Sequence, residues 1–269
     1  MKEFMIPNKQ ALTANCLVNS ILKHSFKYWT CNMDEARDKR EYDFSRLLEW
    51  IDYKASGLIG VIAPPAMGKT SFFLDLAFYL AKNKRKTVYI FSYEEKKEEL
   101  VKRLMEKVTE LYGENGRMML KILQIFIINK PYASIEETYN MLSDKDKKDS
   151  VFMIDGVKKL RNIKDTNEQL TLAENISAIE EMANDIPVFV SLSTAWDRNL
   201  PDGDVEKCLS VVLSLYRDSY YDAILIPDDL PIMTRISVLK NKRGCCSDFK
   251  YEWTEQKRLI PLKESECWK

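Results

Sequence analysis

The sequence predicts an α/β fold, a mostly parallel sheet flanked by helices with an antiparallel extension at one edge. Five short apolar stretches, 58–63, 87–92, 122–128, 151–154 and 188–193, have the unbroken apolar character of strands buried on both faces. Most of them alternate with segments of helical character at 69–82, 96–111, 134–142 and 167–184. That alternation builds parallel β-α-β units. Three further strands, at 211–216, 233–239 and 249–253, follow without clear helices between them, which predicts the antiparallel part.

Residues 1–43 read differently from the rest. Leu12, Cys16, Val18, Ile21 and Leu22 fall on one helix face, and a charged run from Asp34 to Glu41 follows. They are read as a helical arm and linker, packed on its own domain or docked on a neighbouring subunit. Residues 44–269 form the main domain. The charge run Asp144-Lys145-Asp146-Lys147-Lys148 is read as a solvated loop.

Bulk properties narrow the function classes. Lysine plus arginine equals aspartate plus glutamate at 41 each, so the formal net charge is zero. A strongly basic, nucleic-acid-coating protein is excluded, although a local basic loop is not. A hydrophobic content of 45% over 269 residues supports one large core. No apolar run reaches the length of a membrane span, and the first residues have no apolar leader segment, so neither a membrane partner nor a signal peptide is expected. Six scattered cysteines without a C-x-x-C pair, and a single histidine, His24, argue against a zinc site or disulfide framework and fit a cytoplasmic setting.

The first predicted strand runs into Ala63-Pro64-Pro65-Ala66-Met67-Gly68-Lys69-Thr70-Ser71, and an amphipathic segment begins at once. Strand, tight loop, Gly-Lys-Thr and helix is the construction of a phosphate-binding loop. The unpaired amides and the dipole at the helix N-terminus favour an anion there. Lys69 would reach the β- and γ-phosphates and Thr70 would ligate Mg²⁺. The usual first glycine is replaced by Ala63, so the consensus is met only from Gly68 onward.

Nucleotide hydrolysis also needs an acidic group near the metal, a group that polarises water, and a cation for the developing charge. Val151-Phe152-Met153-Ile154-Asp155 puts a carboxylate at the tip of a buried strand, where open α/β sheets bind ligands, so Asp155 would support the metal. The second strand ends in Glu94-Glu95. Glu94 is the candidate for activating water, whereas Glu95 suits the start of a helix. Ser193 and Thr194 end the fifth strand, either sensing the γ-phosphate or satisfying strand-end amides. Lys240-Asn241-Lys242-Arg243-Gly244 is either a solvated basic turn or a finger toward a neighbour's γ-phosphate. Lys158, Lys159, Arg161 and Lys164 place four cations in seven residues, either tracking a phosphate backbone or lining a solvated helix.

From Phe44 to Trp253 these segments resemble, in order, the C-terminal motor domain of DnaB-type replicative helicases, a RecA-like ATPase. Residues 63–70 are similar to that family's phosphate loop. Phe91-Ser92-Tyr93-Glu94 with Glu99-Leu100-Val101-Lys102-Arg103-Leu104 resembles F-S-L-E-M…L-x-x-R-L. Ile125-Phe126-Ile127-Ile128-Asn129-Lys130-Pro131, then Ser134-Ile135, resembles I-x-I-D-D-x-P…[ST]-I. Leu215-Tyr216-Arg217-Asp218 resembles L-Y-R-[DE], and residues 240–244 resemble K-N-R-x-G.

The resemblance implies a catalytic glutamate at Glu94. It also implies ATP with Mg²⁺ as cofactors, a homo-oligomeric ring or filament, and subunit-interface roles for Arg217, Lys240, Lys242 or Arg243. Single-stranded DNA and a replication or mobile-element protein are the implied partners. Departures are visible: Thr194 stands for the family's sensor glutamine, Lys242 for its finger arginine, and Ile128 and Asn129 for its paired aspartates. The stretch from Arg198 to Val211 is short and carries Asp202 and Asp204. Three functions therefore stay open: a DNA-stimulated motor, a loader-like accessory ATPase or switch, and a binding module without turnover.

Overall fold

The computed structural model describes residues 40–55, 57–129, 135–160, 171–194, 201, 203–217, 232–254 and 257–262. The elements are α1 (Ser45–Trp50), β1 (Leu58–Ala63), α2 (Lys69–Asn83), β2 (Thr87–Ser92), α3 (Lys97–Tyr112), α4 (Glu114–Ile122) and β3 (Ile125–Ile128). After these come α5 (Ile135–Met141), α6 (Asp144–Lys148), β4 (Ser150–Asp155), α7 (Leu172–Met182), β5 (Val188–Ser193) and α8 (Gly203–Cys208). The chain closes its sheet with β6 (Val211–Arg217), β7 (Ile232–Asn241), β8 (Ser247–Trp253) and β9 (Leu259–Pro261). Among the described residues the strands form one sheet in the order β3-β2-β4-β5-β1-β6-β7-β8-β9.

The strands β1 and β4 are buried at every residue, as their unbroken apolar runs require of strands covered on both faces. The helix α2 is nearly enclosed: Phe72, Phe73, Leu76, Ala77 and Leu80 all lie in the core. Phe44 docks the start of the domain on it, with ring centroids 5.7 Å from Phe72 and 5.3 Å from Tyr251. Packing begins slightly before Phe44, because Tyr42 is buried against Phe78 and Glu41 pairs with Lys82 at 2.7 Å.

Behind α2 lies a buried ionic cluster. The Lys107 ammonium on α3 donates to Asp75 Oδ1 at 2.7 Å, and the amide of Leu259 in β9 donates to Asp75 Oδ2 at 3.0 Å. Arg258, fully buried, pairs with Glu110 at 3.3 Å. Removing one member of such a cluster strands a charge in a poorly solvated place, a loss of about 3–5 kcal/mol.

Three expectations are corrected. The sixth strand is not part of the antiparallel extension: β6 runs parallel to β1, Ile59 opposite Val211, and the antiparallel pairing starts at β6/β7. The helix α8 lies in the connection before it, and six residues are too few to show a period. Second, Asp144–Lys148 is helical rather than a loop, because Ser143 Oγ accepts from the Asp146 amide and caps it. Third, β3 starts at Ile125 rather than 122, because α4 occupies the preceding residues. Residues 1–39 of the arm and linker expected over 1–43, and the basic residues Arg161 and Lys164, lie outside the described residues.

Candidate active site

The loop from Ala63 to Lys69 leaves the tip of β1 and turns into α2. Met67 is fully buried and pins the loop to the core, while Pro65 and Ala66 face outward. Gly68 has φ +98°, and a Cβ there would lie 2.6 Å from the ring of Trp253, so both backbone and space demand glycine. Ala66 also takes a left-handed φ of 63°, at a cost of about 1 kcal/mol.

The Lys69 ammonium donates to the carbonyls of Ala63, at 3.0 Å, and Pro64, at 3.1 Å. Burial holds its pKa below the usual lysine range, and the nearby carboxylates of Glu94 and Asp155 oppose that shift. An arriving phosphate would replace two neutral carbonyls by charged acceptors, which bind an ammonium more strongly.

Beside the loop, the Thr70 hydroxyl donates to Asp155 Oδ2 at 2.7 Å. Ser191 Oγ donates to Asp155 Oδ1 at 2.7 Å and accepts from the Gly156 amide at 2.8 Å. The Thr70 hydroxyl and the Asp155 carboxylate are hard oxygen donors at the mouth of a phosphate cradle. They fit a magnesium ion that keeps most of its shell as water and phosphate.

Glu94 lies on the turn after β2. Tyr93 donates its amide to the Asp155 carbonyl at 2.9 Å. Gly156, with φ +81°, leaves room for Glu94, whose Cγ would lie 2.4 Å from a Cβ at that position. Glu95 does not simply open α3: it pairs with Arg103, whose other nitrogen donates to Ser71 Oγ at 2.9 Å. At the tip of β5, the Thr194 amide donates to Ala63 O at 3.2 Å, and its hydroxyl is buried without a hydrogen-bond partner among the described residues.

The cations grouped in the sequence are separated in space. Arg217, at the end of β6, donates to Ala66 O at 3.2 Å and stacks 4.7 Å over Trp253, so it lies on its own phosphate loop. The basic turn lies at the other end of the sheet, since Asn241 pairs with Val211 at the start of β6. The extended strand between them, six residue steps long, makes that separation about 20 Å. There Lys240 donates to the Glu206 carbonyl at 2.6 Å and Lys242 to the Lys207 carbonyl at 3.1 Å. Arg243 is exposed, its amide donating to Asn241 Oδ1 at 3.1 Å. Lys158 turns back to the Ser193 carbonyl at 2.7 Å.

Ser191, Arg103 and Trp253 are site residues that sequence reasoning missed. Two of them left a signal: Ser191 as a polar residue inside a buried strand, and Arg103 as the arginine of the L-x-x-R-L match.

The whole arrangement can be compared with known proteins. A probable replicative DNA helicase from Trieres chinensis is 24% identical over 238 residues, 76% of this chain and 52% of the relative, so the chain spans about half that protein's length. A solved ATPase domain superposes with a TM-score of 0.65 at 21% identity, covering 82% of this chain and 90% of its own. A DnaB-like replicative helicase, solved in a study of its interactions with primase, gives a TM-score of 0.62 at 21% identity over 78% of this chain and 58% of that one. These likenesses bear out the RecA-like fold. The family model described as DnaB-like helicase C terminal domain matches residues 43–260. That match covers most of the sequence, and the chain belongs to the DnaB-like helicase C-terminal domain family.

Proposed function

We propose that this chain binds ATP with Mg²⁺, hydrolyses it, and acts on single-stranded DNA as the motor of a replication or mobile-element helicase. The observation that carries the reading is the joined set Thr70, Asp155 and Ser191, flanked by Lys69 on its own loop and by the turn bearing Glu94. Lys69 would hold the β- and γ-phosphates. Thr70 and Asp155 would hold Mg²⁺, which would neutralise charge between those phosphates. Glu94 would take a proton from the attacking water as a new bond to the γ-phosphorus forms and the bond to the β-γ bridging oxygen breaks.

Arg217 would steady the loop in its own subunit. Lys242 and Arg243 lie too far from that loop to serve it and would act on the nucleotide of a neighbouring copy in a ring or filament. The test is steady-state ATP hydrolysis with and without single-stranded DNA, with Lys69→Ala as blank. Turnover that rises with DNA and vanishes in the blank supports the motor.

One observation favours a second reading, an accessory ATPase or switch working through protein partners. Thr194 stands where the family carries its sensor glutamine, and its short side chain is half-buried with its hydroxyl turned inward. Turnover indifferent to DNA would select that reading.

A further inference from the structure

We infer that Asn129 is a positioning residue for Glu94, its side-chain amide clamping the turn that presents the glutamate. The inference rests on the reading of Glu94 as the water-activating group. Asn129 follows β3 at the sheet edge, and its Nδ2 donates to two carbonyls of the neighbouring turn, Ser92 O and Glu95 O, at 2.8 Å each. These carbonyls bracket Tyr93-Glu94. The Ser92 hydroxyl closes the same turn from inside, donating to Glu95 O at 2.8 Å. On the far side the Tyr93 amide is tied to Asp155 O at 2.9 Å. Glu94, exposed and without a side-chain bond of its own among these contacts, takes its place from the turn it stands on.

Chemistry makes the clamp specific. Both partners are carbonyl oxygens, so the contacting atom must be a donor, and an amide NH₂ has two hydrogens to give. An ionised carboxylate has acceptors only and would face two oxygens at the same spacing. The motif that this segment resembles has aspartate at the place of Asn129. The clamp therefore belongs to this chain rather than to the motif.

The test is a pair of variants, Asn129→Asp and Asn129→Ala, measured for ATP turnover, ATP affinity and melting temperature. Loss of the clamp lets Glu94 drift by about an ångström, and kcat should fall by about ten- to a hundredfold while nucleotide affinity and melting stay near wild type. Asn129→Asp carries a further signature. Its carboxyl, set between two carbonyls, would have a raised pKa and would regain a donor on protonation. Its turnover relative to wild type should then climb as pH falls, whereas the Asn129→Ala ratio should stay flat. In a Glu94→Gln background neither variant should lower the residual rate further. Wild-type turnover in Asn129→Ala, or an Asn129→Asp ratio that ignores pH, overturns the inference and leaves the ATPase reading standing. Full turnover in Glu94→Gln overturns the reading of Glu94 and the inference with it.

Discussion

At the phosphate-loop end of the sheet Thr70, Asp155 and Ser191 are bonded to one another in a largely buried set, with Glu94 exposed beside them, whereas at the basic-turn end Lys242 and Arg243 are exposed and Lys240 is half-buried against Glu206. Thr70, Asp155, Ser191 and Gly156 form one connected set, and Lys69 is buried against its own loop. The Lys242 ammonium donates to the Lys207 carbonyl, and Arg243 is exposed. The first end is preorganised, so its groups lose little freedom when a ligand arrives. The second is exchangeable: a neutral carbonyl acceptor would be given up for a charged one at a net gain. On the proposed function, one copy of the chain would hold nucleotide by itself, and the basic turn would act against a second copy.

Substitutions at the two ends should differ accordingly. Lys69→Ala is expected to cost about a thousandfold in kcat/KM, the upper end for one preorganised charge-stabilising donor, and a fluorescent ATP analogue should cease to bind. Glu94→Gln should lower turnover by about a hundredfold and leave analogue binding intact, as loss of a general base does. Gly68→Ala should cost about 2 kcal/mol in urea unfolding, through the left-handed φ and the ring of Trp253.

At the other end, Lys242→Ala should lower turnover by about tenfold, less than the loss of an arginine finger because lysine lacks the planar fork. Mixing that variant with Glu94→Gln should restore activity, since each supplies what its neighbour lacks. No restoration on mixing would break the idea that the turn serves a second copy. Gly244→Ala should cost less, about 1 kcal/mol, because the added Cβ would meet the Asn241 side chain at 2.9 Å and displace its bonds to Trp50 O and the Arg243 amide, with no left-handed φ to add. A loss equal to that of Gly68→Ala would erase the contrast.

What was legible in the sequence follows from the same physics. β1, β2 and β5 have the residues expected for them because strands buried on both faces write an unbroken apolar run. Lys69, Thr70, Asp155 and Glu94 stood out because each sits where such a run stops. Helices α6 and α8 and the three-residue β9 are too short for any period to register. The supporting contacts were illegible for another reason. Arg103 meets Ser71 across 32 residues and Asn129 meets Ser92 across 37, distances that only the packed sheet spans. Trp253 pressed on Gly68 is the extreme case, invisible until β8 is placed beside β7.

The ionic cluster behind α2 has a consequence for biosynthesis. Asp75 receives the Leu259 amide across 184 residues of chain. At about 5–20 residues per second, a ribosome leaves roughly ten to forty seconds between the two. Throughout that interval the phosphate-loop helix is already made, while its carboxylate lacks a final partner and Gly68 lacks the indole that packs against it. A nascent chain therefore carries the loop for that interval before the strands that close over it have been made.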